Sequence, residues 1–249
     1  MAGTGWISAA PRWSPPPGQS GEELIVDQRL VRGLTGVGGL TAGVIGTALG
    51  PLYFMYSGAP PTWNVLTRNL LNLIGVGAII VFLAGLRALI RQADSAYEWV
   101  ASLVFGTGMV WAAINLVKIS LETGVVLGAP DGTLDPTTDG PLAHANILLH
   151  GSVDRLITAV VLTAAGYAIL RTRALPRWAA RSAYVLAVVN LAFVPSLYFG
   201  IDPARFYSAL GWGNTALTAG LFLYWAAAVG IAAMIPARRG NAAGEGIAS

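Results

Sequence analysis

Residues 70–90 read LLNLIGVGAIIVFLAGLRALI, an apolar run long enough to cross the hydrocarbon core of a bilayer as an α-helix, which takes about 20 residues. Lipid offers the backbone no hydrogen bonds, so a spanning segment must satisfy its own, and the helix does this within one segment. Five more runs of this kind follow the same reading, over residues 33–56, 99–127, 145–170, 178–199 and 209–235. The chain is therefore expected to be all-α, a polytopic membrane bundle of six transmembrane helices over residues 31–237. Residues 1–30 and 238–249 are expected to be cytoplasmic tails. The first is read as disordered, because it has no apolar h-region of a signal peptide and contains Pro15, Pro16 and Pro17.

Composition agrees with the pattern. Of the 249 residues 55% are hydrophobic and 11% charged, with a mean hydropathy of +0.62, outside the range of soluble domains. The net charge of +3 is spread over loops and tails instead of lining one face, which argues against a nucleic-acid partner. With no cysteine, the chain cannot use disulfides, thiolate catalysis or thiolate metal ligation.

Arginines set the expected orientation, since short loops rich in Lys and Arg are retained on the cytoplasmic side. Arg29 and Arg32 precede the first segment, Arg87 and Arg91 close the second, Arg171, Arg173, Arg177 and Arg181 surround the fourth connection, and Arg238 and Arg239 follow the sixth segment. The alternate connections carry only Arg68 and Arg205 at their edges. Both termini are thus predicted in the cytoplasm, in a multi-pass plasma (inner) membrane protein. Asp131, Asp135, Asp139 and Asp202 lie on the opposite side.

In the first segment Gly39, Gly43, Gly46 and Gly50 follow one another at spacings of four, three and four, which places them on one stripe. Small residues so arranged let helix backbones approach closely in lipid. The stripe is expected to pack against another helix of the same chain, and it is also the candidate seam of an oligomer. Gly75, Gly77, Gly85, Gly106 and Gly108 are expected to serve similarly. Tyr53, Tyr56, Trp63, Tyr198, Phe206, Tyr207 and Trp212 form one aromatic belt, and Trp99 and Trp178 belong to the other.

The third and fourth segments carry polar groups inside their apolar runs. Asn115, Lys118 and Glu122 share one face at spacings of three and four, while Asn146, His150 and Asp154 form a second stripe with Arg155 beside it. Lys118 precedes Glu122, the less favourable order for a pair within one helix, and Glu122 lies towards the helix C-terminus, where the dipole repels it. An interhelical partner is therefore expected: Arg155 or His150 for Glu122, and Asp154 for Lys118. Ionisable groups at membrane depth mark ligand sites, ion paths and proton relays, but a balanced set also serves simply to fix helix register. Both readings stand, and His150, which titrates near neutral pH, favours function.

Enzyme chemistry finds less support. Two histidines cannot build a three-histidine zinc site, there is no His-Glu-x-x-His pair, and His144 and His150 on one helix cannot clamp a haem from both faces. The weak metal candidates are His144, His150, Asp154 and Glu122, and no cofactor is expected.

The stretch RNLLNLIGVGAIIVFLAGLRALIR at residues 68–91 and the exit AILRTRALPRW at residues 168–178 resemble uncharacterised actinobacterial six-helix membrane proteins, including the family of unknown function called DUF4386. The resemblance implies bacterial origin and supplies no site residues. The residues themselves point to small-solute or proton-linked transport, or sensing, through a polar pocket between the third and fourth segments in the outer half. The alternative is a non-catalytic scaffold or partner subunit.

Because the chain lacks cysteine, orientation is directly testable. Single cysteines at Gly132 and Arg173 should differ in labelling by an impermeant thiol reagent on intact cells, with only the first reacting; the reverse pattern contradicts the orientation.

Overall fold

The structure, a computed structural model, describes residues 21–56, 58–129, 135 and 139–235. Most of the expected tails, together with Asp131 and Gly132, lie outside the described residues. Six stretches of helix are long and apolar enough to cross a membrane, and among the described residues there is no strand. The chain is an all-α integral membrane protein.

The helices are α1 (Gly21–Phe54), α2 (Thr62–Ala93), α3 (Glu98–Gly128), α4 (Gly140–Leu148), α5 (Asp154–Thr172), α6 (Arg177–Phe193) and α7 (Thr218–Met234). Helix α1 starts at Gly21, inside the stretch expected to be tail, so its first turns continue the helix ahead of the membrane run. Helix α2 starts directly after Pro61, whose φ of −64° is already helical and whose missing N–H costs nothing at a helix start. It therefore begins eight residues before the expected run at Leu70. The fourth span is one run in two pieces, α4 and α5, joined by a π turn over Leu149–Val153. A second π turn, Gly213–Leu217, leads into α7, and α6 tightens into a 3-10 helix at Pro195.

Neighbours in sequence are neighbours in space. Helices α1, α2, α3, α5 and α6 follow one another around the bundle, and α7 closes it against α1, with a lighter contact to α6. Each junction carries a small residue, a polar tie, or both. Gly38 lies against the Ala78–Phe82 backbone of α2, Gly85 against Thr35, Gly108 against Leu83, and Gly166 against the Ala180 carbonyl. Arg32 donates to the Ala233 carbonyl at 3.0 Å and Trp225 to the Ala179 carbonyl at 3.2 Å. Apolar burial concentrates between these contacts, where Phe82, Leu83, Leu86, Val104, Leu162 and Val229 are fully buried.

The glycine stripe of α1 meets α7. A Cβ at Gly39 would strike the Ala226 carbonyl oxygen, one at Gly43 would come within 2.5 Å of the Ala227 Cβ, and one at Gly46 within 2.9 Å of Leu223 Cδ1. That part of the stripe is covered within the chain. Gly50 behaves differently, with nothing within 4 Å, because α1 and α7 have separated by that level. Gly77 and Gly106, expected to pack, are exposed with open space around them. Both fall on the outward face of their helices.

This contrast gives a paired test. Gly39→Leu meets backbone that cannot swing aside and should lower stability in detergent by about 1–3 kcal/mol, the usual cost of overpacking. Gly77→Leu should change the melting temperature little, and equal losses at the two positions would contradict the packing described.

Candidate functional site

The polar residues of the third and fourth spans gather near the arginine-poor end of the bundle, in two groups instead of one. The first joins α2 to α3. Arg68 donates to Glu122 Oε1 at 3.0 Å, with side chains only 4% and 3% exposed, and its guanidinium lies 4.5 Å from the centre of the Tyr53 ring. Asn72 donates to the Tyr53 hydroxyl at 3.2 Å, and Asn69 to Thr123 Oγ1 at 3.0 Å. The partner of Glu122 is therefore Arg68, not Arg155 or His150 as the sequence suggested. Tyr53, expected as a belt aromatic, covers this ion pair.

The second group joins α3, the first π turn, α5 and the start of α7. Asn115 donates to Asp154 Oδ1 at 3.2 Å, and Arg155 binds Asp154 Oδ2. Arg155 also donates to the Thr218 hydroxyl and, at 3.3 Å, to the His150 carbonyl. Lys118 Nζ lies 2.8 Å from His150 Nδ1. The expected pairing of Lys118 with Asp154 is replaced: the carboxylate is taken by Asn115 and Arg155, and the ammonium meets an imidazole.

Local backbone explains why these side chains converge. A π turn holds one more residue than an α turn, so it rotates everything after it by about 100° relative to a continuous helix. Asp154 and Arg155 follow it immediately and are turned towards α3 and α7. Asn146 precedes it, and although it is buried it is absent from the cavity wall described below. His144 is exposed. Gly151 sits in the turn at φ −91°, ψ −113°, where a Cβ would come within 3.0 Å of the Ala209 carbonyl and of Asn214 Nδ2. Asn214 belongs to the second π turn and donates to Ser196 Oγ at 3.0 Å and to the Ala209 carbonyl at 2.8 Å. Thr218, which holds Arg155, donates in turn to the Asn214 carbonyl.

A cavity of about 370 Å³ opens beside the second group. Asn115, Lys118, His150, Asp154, Arg155 and Thr158 line its polar side, and Ile45, Leu49, Trp111 and Phe222 its apolar side. Its volume falls within the ordinary range of small-molecule sites, which are largely apolar with a few placed polar groups. Glu122 does not line it. The metal candidates His144, His150, Asp154 and Glu122 are not brought together, and among the described residues no three His, Asp or Glu side chains converge.

Three participants escaped the sequence reading: Arg68, Thr158 and Thr218. Arg68 was placed at a loop edge because α2 was expected to begin at Leu70; once Pro61 is taken as the helix start, Arg68 lies almost two turns inside. Thr158 and Thr218 carry no signal in an apolar helix, where a threonine hydroxyl often returns to its own backbone.

Comparison with protein-family models, with curated proteins and with solved structures finds no match.

The ion pair between α2 and α3 predicts strong coupling. Arg68→Met or Glu122→Leu alone leaves one buried charge without its partner and should destabilise by about 3–5 kcal/mol, whereas the double variant should recover most of that loss. Additive losses in a double-mutant melting cycle would show that the pair does not form.

Proposed function

We propose that this membrane protein binds a small solute in the cavity between α1, α3, the first π turn, α5 and α7, and that it transports that solute or senses it. Its setting in this reading is a bacterial plasma membrane with both termini in the cytoplasm. The observation that carries the proposal is the division of labour between the two polar groups. A scaffold needs ion pairs that hold helices, and Arg68–Glu122 does that behind Tyr53, without lining the cavity itself. It has no need for Lys118, His150 and Thr158 to face a common space of about 370 Å³.

Two π turns in contact at this site support the same reading, because such turns recur where a helix is adapted to function. They also provide a place where the spans can rearrange, since the first turn already departs from helical geometry at Gly151. His150 lies in that turn and lines the cavity, so the state of the imidazole is joined directly to the shape of the helix.

A thermal-shift screen of small solutes between about pH 5 and pH 8 tests the proposal, comparing the wild type with His150→Gln. A ligand at about one hundred times its Kd adds about 2.7 kcal/mol, which is several degrees in Tm for a chain of this size. At least one solute should stabilise the wild type in this way and lose most of its effect in the variant. A flat response in both proteins would instead favour the scaffold, with Arg68–Glu122 as its glue.

A further inference from the structure

We infer that the solute is a single-chain anionic amphiphile, whose acidic head meets Lys118 while its apolar chain lies along the cavity and leaves sideways between α1 and α7. This rests on the cavity being a binding site and adds the chemistry of the ligand. It begins with the buried charges. Among the described residues three buried cations, Arg68, Lys118 and Arg155, accompany two buried carboxylates, Glu122 and Asp154. Glu122 is held by Arg68, and both oxygens of Asp154 are engaged by Asn115 and Arg155. Lys118 forms no ion pair among the described residues, and its partner is the Nδ1 of His150.

A hydrogen bond between those two nitrogens holds one shared proton. An imidazole carries no negative charge, so it can hold the Lys118 ammonium by a hydrogen bond but cannot neutralise it. That charge sits at a residue only 6% exposed, in a cavity whose described lining leaves no carboxylate over. An unpaired charge at this depth is costly, and an anion in the cavity removes the cost.

Two further polar groups border the site. Thr158 Oγ and Arg155 Nε are both buried without hydrogen-bond partners among the described residues, and both residues line the cavity. The remaining wall is apolar, which suits a hydrocarbon chain. The way out is lateral: α1 and α7 touch at Gly39, Gly43 and Gly46 but not at Gly50, and Thr47 reaches the Tyr224 hydroxyl across the gap at 3.4 Å. Phe54 and Tyr224 on the rim are 64% and 49% exposed on the apolar outer surface.

A carboxylate from a free fatty acid and a phosphate from a single-chain lipid share this chemistry. The test measures equilibrium binding to the full chain in nanodiscs of uncharged lipid. The probes are dodecanoate, a lysophosphatidate of matched chain length, methyl dodecanoate and dodecyltrimethylammonium. One of the two anions should bind at least tenfold more tightly than the ester and the ammonium, and which one does so identifies the source. Lys118→Gln should lose that preference while keeping the ester's weak binding, and Gly50→Trp, which fills the lateral exit, should weaken every probe. The ester and ammonium comparison on the wild type needs no variant, so it decides the matter even if Lys118→Gln folds poorly. Equal binding of all heads, or a preference for the ester or the ammonium that Gly50→Trp abolishes, overturns the anion while leaving a cavity site. Binding of every probe untouched by Gly50→Trp overturns the amphiphile and removes support for the cavity as well.

Discussion

Arg155 is the side chain on which the arrangement depends. Its side chain is 1% exposed inside an apolar bundle, and a guanidinium has five donors and no way to become neutral. Such a group stays only where the surrounding backbone and side chains supply acceptors. Asp154, the His150 carbonyl and the Thr218 hydroxyl do so, and each belongs to a feature that departs from a plain helix bundle. The π turn before α5 presents the His150 carbonyl, the adjacent residue supplies the carboxylate, and a second π turn precedes the threonine. The demand of one buried cation thus accounts for two irregular turns lying side by side.

Around that centre the polar contacts divide by what they face. Arg68–Glu122 and Asn69–Thr123 run between neighbouring helices and stand off the cavity wall, while Asn72–Tyr53, which covers Arg68, also lines the cavity. They fix register in a medium that gives helices no hydrophobic reason to associate. Lys118, His150 and Thr158 face the cavity, and there the charge of the chain itself does not close. The glycine stripe of α1 has the same double character. Its first three members bring α1 against α7, and the fourth, where the two helices part, forms the side of the cavity.

Much of this was legible in the sequence, and the rest was hidden for definite reasons. Six spans followed from apolar length alone, and the stripe at Gly39, Gly43 and Gly46 from spacing. Periodicity also singled out Asn115, Lys118, His150 and Asp154, which line one cavity. Partners were less legible, because a stripe says which face is polar but not which neighbour it meets. Counting in fours across residues 149–153 assumed a continuous α-helix, and the π turn there moved Asn146 out of the set and Arg155 into its centre. Arg68 was lost by a boundary set at the first unbroken apolar residue instead of at Pro61. Gly77 and Gly106 were misread because glycine frequency alone does not say which face a helix turns inward.

The central claim is that Lys118 stands as an ammonium against His150 and leaves one positive charge facing the cavity. Nitrogen-15 shifts of labelled lysine and histidine in lipid nanodiscs report this directly, since Lys118 is the chain's one lysine and a His144→Gln variant isolates His150 of the two histidines. At neutral pH the Lys118 Nζ should resonate as an ammonium whose shift moves in His150→Gln, and the His150 Nδ1 shift should move in Lys118→Gln. A neutral amine at Lys118, or shifts at either residue that ignore the other, would contradict the account.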